Sequence, residues 1–229
     1  MARRRKEKKS DETLVDIVEA RESAVEWIER NQNIVLAVVV GLIVLVGGWF
    51  AYKNLYQIPR NAEAQEQMHR AQFQFERDSF ALALENPGGG YPGFLGIINQ
   101  YGRTSAANLA EFYAGISYLN LGRYQDAISH LRNYSPKDEL TTIMRHGAMG
   151  DAYSELNEFS NAIDQYRRAV RAGDNILLTP FYMNKLGHAL IHQGDSADAL
   201  KVFEDLRKKY PNSSEAQNAD RQIARLKAN

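Results

Sequence analysis

One long apolar stretch stands near the start of the chain. No charged residue occurs between Asn31 and Tyr52, and the 19 residues from Ile34 to Tyr52 are almost all apolar. A helix rises about 1.5 Å per residue, so this stretch would measure roughly 28 Å, close to the hydrocarbon thickness of a bilayer. The pattern therefore predicts one transmembrane helix over residues 34–53, with an anchor formed by Ile34, Gly41, Gly48, Trp49 and Tyr52.

The basic residues beside this stretch predict its orientation. Eight Lys and Arg residues precede it, whereas only Lys53, Arg60 and Arg70 follow within the next 20 residues. Because basic residues resist translocation, we expect a cytoplasmic N-terminus and a C-terminal part across the membrane. A cleaved signal peptide would have a shorter apolar region with a small-x-small site close behind it. The Ala62-Glu63-Ala64 pattern lies ten residues past Tyr52, so a retained anchor is favoured.

Residues 1–33 form the predicted cytoplasmic tail. Within them, residues 12–30 place Leu, Val and Ile at helical spacing opposite a face of Asp and Glu, which is the pattern of an amphipathic helix. Such a helix would either lie on the membrane surface or dock a cytoplasmic or membrane partner, and the sequence leaves both alternatives open.

The part after the apolar stretch, residues 54–229, contains a repeated pattern. Three segments superimpose at offsets of 35 and 37 residues, and small residues recur seven positions apart in each: Gly115 and Gly122, Gly150 and Asn157, Gly187 and Gly194. We predict that the first glycine of each segment lets two helices pack closely, and that Gly122 and Gly194 end a helix in a left-handed conformation. The pattern resembles the tetratricopeptide repeat, a helix-turn-helix unit of about this length.

The repeat pattern extends in both directions. Upstream, Phe80 fits a degenerate first unit whose offset to Tyr124 is 44 residues, with the extra residues in a Pro- and Gly-rich loop at 86–93. Downstream, residues 213–228 form a predicted capping helix. The predicted fold class is therefore all-α: a single N-terminal transmembrane helix followed by a tetratricopeptide-repeat α-solenoid.

Composition and motifs exclude several function classes. The chain has 28 basic and 28 acidic residues and no cysteine, so it lacks the positive excess of a nucleic-acid binder and the thiolates of a redox or metal site. His188 and His192 are four residues apart, but no HExxH pattern surrounds them. No Ser-His-Asp order or phosphate loop is present. We therefore predict a non-enzyme with no cofactor and no metal.

Binding is the function that a helical solenoid favours. The first helix of each hairpin lines the concave face of such a stack. The positions expected on this face, and hence in the partner site, are Phe112, Ile116, Leu119, Met144, Asp151, Phe181, Asn184, His188, Ile191 and His192. A clamp for a C-terminal carboxylate would present Lys and Asn where Phe112 and Ile116 stand, which argues against that mode.

The whole chain resembles the YfgM-like ancillary subunits of the bacterial Sec translocon. The resemblance lies in the order of tail, span and repeats, and in four stretches: residues 47–49 at the end of the span, residues 78–84, residues 93–98 and residues 108–118. It implies a single-pass protein of the bacterial inner membrane with a periplasmic repeat domain. The implied partners are the SecYEG translocon, a PpiD-like periplasmic chaperone, unfolded exported proteins and membrane lipid.

Two alternatives from other classes remain open at this stage. One is an envelope assembly or Tol-Pal-like repeat scaffold that is not associated with the translocon; such scaffolds lack this kind of anchored span. The other is an import receptor with its repeats in the cytoplasm, which would require the opposite orientation.

Overall fold

The computed structural model describes residue 21 and residues 25–228. The described residues contain helices and connecting turns and no strand, so the all-α prediction is confirmed. The chain divides into two compact units, Met1–Ile58 and Pro59–Asn229. Most of the predicted amphipathic helix at 12–30 lies outside the described residues; residues 25–30 are helical.

The first unit contains the apolar helix. Helix α1 spans Gln32–Ala51 and continues into a π-helical turn, Tyr52–Gln57. None of its residues is buried, and Leu45 is 70% exposed. By length and composition, one helix in the described part of the chain is able to cross a membrane, and it begins at Gln32. An apolar helix without a buried face is unfavourable in water, so this unit is compatible with a single-pass membrane protein.

The second unit is a series of ten helices within the described residues. They are α2 (Ile58–Glu76), α3 (Phe80–Glu85), α4 (Phe94–Gln100), α5 (Ser105–Asn120), α6 (Tyr124–Asn133), α7 (Glu139–Glu155), α8 (Phe159–Ala172), α9 (Leu178–Gln193), α10 (Ser196–Lys209) and α11 (Ser214–Ala228). Helices α5 to α10 form three consecutive hairpins, which are the three repeats of the sequence.

Each hairpin is closed by a glycine in its first helix that meets a large side chain of its second helix. A Cβ atom on Gly187 would lie 2.4 Å from Cζ of Phe203, and one on Gly150 would lie 2.5 Å from the ring of Tyr166. Gly115 meets Leu131 in the same way, at 2.6 Å. The predicted role of these glycines in close helix packing is confirmed, since no larger residue fits at the three contacts.

The turn inside each hairpin has the same geometry. Gly122, Asn157 and Gly194 have φ angles of 73°, 59° and 92°. The amide of the next residue then donates back to a carbonyl five residues earlier, as in the bond from Arg123 to Tyr118 at 2.9 Å. This left-handed ending satisfies a carbonyl that the helix leaves open, as predicted for the two glycines.

The segment before the first hairpin departs from the repeat. After α3 the chain forms the predicted non-helical loop at 86–93, and then adds the short helix α4. Phe94 of α4 is fully buried, and its ring stacks on Tyr113 at 5.0 Å between centroids. Phe75 of α2 packs edge-on against both rings. An aromatic cluster thus joins the irregular start to the first regular hairpin.

Helix α11 covers the far end of the last hairpin, as the sequence predicts. It buries Ala216, Ala219 and Ile223. Lys227 pairs with Glu204 at 2.7 Å, which holds the outer edge of α11 to α10. A terminal helix with one apolar and one polar face is what a solenoid needs to end in water.

Candidate functional site

A pocket of about 520 Å³ lies among the first helices of the three hairpins. Helices α5, α7 and α9 supply most of its wall, with one tyrosine each from α6 and α8. We call it the central pocket. Its lining residues are Leu119, Asn120, Tyr124, Asp151, Ser154, Glu155, Tyr166, Lys185, His188, Ala189 and His192.

Asp151 is the centre of the hydrogen bonding in this pocket. Lys185 Nζ lies 2.7 Å from Asp151 Oδ1, and the Tyr166 hydroxyl donates to the same oxygen at 2.7 Å. Tyr166 is buried, and its ring occupies the space beside Gly150. Tyr166 therefore has two roles: its ring packs between α7 and α8, and its hydroxyl reaches the pocket.

The pKa values around Asp151 shift in the directions that burial demands. Burial, followed by the charge of Asp151, raises the pKa of Tyr166 far above its ordinary range, so its hydroxyl stays protonated and donates. The same two causes raise the pKa of Tyr182, the ring that lies against Gly147. Neither tyrosine is poised to lose a proton at physiological pH, which suits positioning rather than acid-base chemistry.

Two histidines form the α9 side of the pocket. Burial, followed by the neighbouring His192, lowers the pKa of His188, so its ring is neutral at pH 7. His188 packs edge-on against Phe203 at 5.6 Å, and His192 stacks on Phe159 at 5.0 Å. Both rings are therefore fixed by aromatic neighbours in α10 and α8.

The structure brings four of the ten predicted partner-site residues into the central pocket: Leu119, Asp151, His188 and His192. Phe112, Ile116 and Ile191 are half-buried and pack against the hydrophobic core. Met144 and Asn184 are also half-buried, and the Asn184 amide oxygen has no hydrogen-bond partner among the described residues. Phe181 is 38% exposed and lies under the Lys185 ammonium, 4.8 Å from its ring centroid.

The predicted anchor residues all lie on exposed positions of α1 and the following turn. Ile34 and Trp49 are each 61% exposed and Tyr52 is 46% exposed. A Cβ atom added to Gly41 or Gly48 would meet nothing within 4 Å. Tyr52 stacks on Tyr56 at 5.5 Å, and Lys53 lies over the Trp49 ring.

Seven of the eleven lining residues were missed by the sequence reasoning, among them Glu155, Tyr166 and Lys185. Glu155 stands 37 residues before His192, at the equivalent position of the preceding repeat, so the repeat offset was a signal that could have found it. At the glycine contact the other two hairpins have the apolar Leu131 and Phe203, whereas the second hairpin has Tyr166. A tyrosine at this position has a hydroxyl that must find a polar partner, and this was the signal for Tyr166. No signal in the sequence pointed to Lys185, because the equivalent position in the second repeat is a buried alanine, Ala148.

A second, more apolar cleft lies at the other end of α9. The loop before α9 exposes Ile176 by 77% and Leu177 by 74%, and faces the turn around Tyr210 and Pro211. No sequence prediction included it.

The arrangement in the central pocket supports binding. Its polar groups are held by one another and by aromatic contacts, without the nucleophile-base pair of a covalent mechanism. Among the described residues, no group of three or more His, Asp or Glu is placed to hold a metal ion.

Comparison with known proteins agrees with the repeat architecture. Family models described as tetratricopeptide repeat match residues 109–134 and residues 148–214. The fold and these matches define a tetratricopeptide-repeat protein, a class whose typical role is a non-catalytic scaffold for protein–protein interaction. The predicted tetratricopeptide solenoid is thereby confirmed, and no enzymatic family is indicated.

Two solved structures are similar to the chain in fold. Both contain the nearly identical TPR-like repeats of a Podosopora anserina chain described as a kinesin light chain, one of them with a single substitution. Each has a TM-score of 0.56 and 12% sequence identity over 73% of this chain, and the match covers 86% and 87% of the two solved chains. No curated protein sequence matches the chain.

Proposed function

We propose that this protein is a membrane-anchored scaffold that holds protein partners in the central pocket of its repeat domain. The observation that carries the proposal is the combination of one exposed apolar helix with a repeat unit whose three hairpins share a polar pocket. Tetratricopeptide solenoids bind segments of other proteins along the face of their first helices. Here that face contains fixed hydrogen-bonding groups and a paired Lys and Asp, which suit a polypeptide ligand.

The finer part of the proposal is a role beside the Sec translocon. In this role the tail at 1–33 stays in the cytoplasm, residues 34–53 cross the bacterial inner membrane, and residues 54–229 form a periplasmic domain. That domain would bind a PpiD-like chaperone or exported chains as they emerge from SecYEG. The support is the excess of basic residues before the span and the resemblance of the chain to YfgM-like subunits.

The proposal is tested by crosslinking in intact membranes followed by purification in mild detergent and mass spectrometry. We expect SecYEG components and a PpiD-like chaperone to purify with the natural chain. The control carries Val44→Arg and Leu45→Arg, because each charge at mid-bilayer costs about 2.5 to 3.5 kcal/mol on insertion scales. This variant should be released by carbonate extraction and lose these partners.

Two results would contradict the proposal at different levels. Protein partners without translocon components would remove the Sec role and favour an envelope assembly or Tol-Pal-like scaffold. A natural chain that washes off with carbonate would remove the anchor. A reporter fused to the C-terminus tests the compartment, since only a periplasmic reporter agrees with the proposed orientation.

A further inference from the structure

The charges of the central pocket do not balance. Its acidic and basic side chains are Asp151, Glu155 and Lys185. Lys185 is paired with Asp151 at 2.7 Å, and both side chains are largely covered, with 33% and 23% exposed. Glu155 forms no ion pair within the described part of the chain. Of these three side chains two are acidic and one is basic, so the carboxylate of Glu155 is left without a cationic partner in the pocket.

Both carboxylates keep acceptor capacity. The two donors to Asp151, from Lys185 and Tyr166, reach the same oxygen, Oδ1. Glu155 accepts one bond through Oε2, from the Tyr124 hydroxyl at 3.2 Å. Within the described residues, Asp151 Oδ2 and Glu155 Oε1 accept no hydrogen bond. A carboxylate offers about four lone-pair sites, so each group can still receive donors from a ligand.

The remaining lining suits a cation with an alkyl stem. Tyr124 contributes an aromatic ring, whose face attracts ammonium and guanidinium groups. Leu119 and Ala189 provide apolar surface for the methylene groups of a long basic side chain. An acidic ligand lacks a corresponding partner, because the ammonium group of Lys185 is already bound to Asp151.

We propose that the central pocket binds a Lys or Arg side chain of the partner segment, with Glu155 as its principal acceptor. This inference rests on the proposed function, in which the same pocket holds a protein partner. It specifies the chemistry of that partner: an extended segment with a basic residue, rather than an acidic segment or a free C-terminal carboxylate. Glu155 is exposed, so loss of its charge-assisted bond to the ligand should weaken binding about three- to fivefold.

The test uses the full chain in lipid nanodiscs and a random twelve-residue peptide library displayed on phage. Peptides are selected in parallel on the natural chain, on Glu155→Gln and on Asp205→Asn. Asp205 is an exposed carboxylate on α10, outside the pocket, so its variant is a control with the same change of charge. Circular dichroism checks that all three chains are folded.

The expected result is enrichment of Lys or Arg at one fixed position of the peptides selected on the natural chain and on Asp205→Asn, but not on Glu155→Gln. A selected peptide should bind Glu155→Gln about three- to fivefold more weakly than it binds the natural chain, and replacing its own basic residue by norleucine should weaken binding by a similar factor. When the norleucine peptide is tested on Glu155→Gln, the two losses should not add, because both changes remove the same interaction.

Two other outcomes overturn the inference and are distinguishable from each other. Both use Asn120→Trp, which adds a bulky ring at an exposed position of the pocket wall. Selected peptides that lose binding to this variant but carry no preferred basic residue would refute the basic-side-chain inference alone. No selected peptide sensitive to Asn120→Trp would refute the proposed function of the pocket as well.

Discussion

In each of the three hairpins, one glycine lies where the two helices pack against each other: Gly115, Gly150 and Gly187. Gly187 is the most demanding of the three, because Phe203 opposite it is fully buried and lies closest to an added Cβ atom. Alanine would improve helix propensity by about 1 kcal/mol, but its methyl group would lie 2.4 Å from the Phe203 ring. Overpacking of this kind typically costs about 1 to 3 kcal/mol, and a contact as short as 2.4 Å belongs to the costly end, so the clash outweighs the gain.

We therefore predict that Gly187→Ala lowers the melting temperature of the full chain in detergent by about 3 to 8 °C, measured by circular dichroism. The control is Gly102→Ala. A Cβ atom there would meet its nearest neighbour, a backbone oxygen, at an ordinary 3.6 Å, and the melting temperature should stay within about 2 °C. Equal effects of the two changes would mean that the glycine at 187 is not a packing requirement.

His146 gives the repeat unit a dependence on pH. Burial lowers the pKa of His146 below 6.5, and the charges of Arg145 and Arg168 lower it further. The hydrogen bond with Gln165 raises the pKa but does not offset the burial. The unfolded chain therefore takes up this proton first as pH falls. The contribution of neutral His146 to stability is complete above pH 6.5 and is lost as pH falls through the lower pKa of the folded state.

We expect His146→Gln to show a smaller drop in melting temperature between about pH 7.5 and about pH 5 than the natural chain shows. The exposed His69 supplies the control, and His69→Gln should drop as much as the natural chain. If the His146 variant follows the natural chain over this interval, the histidine does not carry the pH dependence.

At the scale of elements, the turn within each hairpin restricts which residue can occupy it. The position needs φ between 59° and 92°, which glycine adopts freely and asparagine tolerates, whereas for other residues it costs about 1 to 2 kcal/mol. Asn157 occupies it in the second hairpin, with φ of 59°.

Asn157→Ala should therefore lower the melting temperature by about 2 to 6 °C, whereas Asn157→Gly should leave it nearly unchanged. Asn218→Ala, at an exposed position inside α11, serves as the comparison and should have little effect. Loss of stability in the glycine variant would show that the Asn157 side chain, rather than its backbone conformation, matters.

The regular hairpins were predictable because each has a local cause. Gly115, Gly150 and Gly187 mark the close contacts, and the left-handed turns follow seven residues later. Helix α4 was not separated from its surroundings, since its seven residues form no periodic pattern long enough to identify, and its position depends on the long-range packing of Phe94.

The site was less predictable than the fold because it depends on side chains that extend from one helix to another. The repeat pattern identified the face that contains Asp151, His188 and His192, but it does not separate residues that open onto the pocket from neighbours that pack inward, such as Ile116. Lys185 enters the pocket only because its long side chain extends to Asp151 of another hairpin. Such pairing is a property of the folded stack and leaves no periodic mark in the sequence.

At the scale of the whole molecule, the chain combines two units with opposite solvent requirements. The first unit exposes an apolar helix, and the second buries its apolar residues in a core and presents a polar pocket. Equal numbers of basic and acidic residues leave no general attraction for polyanions. In the proposed function, partner choice depends on local groups in the pocket, and the apolar helix determines where those partners are met.

Site-specific photo-crosslinking in intact membranes tests the proposal that this chain holds protein partners in its central pocket. Benzoylphenylalanine replaces Asn120 or His192, two exposed residues of the pocket, and, as the control, Asp205 on α10. We expect discrete protein adducts from both pocket positions and none of the same size from Asp205. Adducts from Asp205 alone, or an identical pattern from all three positions, would contradict it.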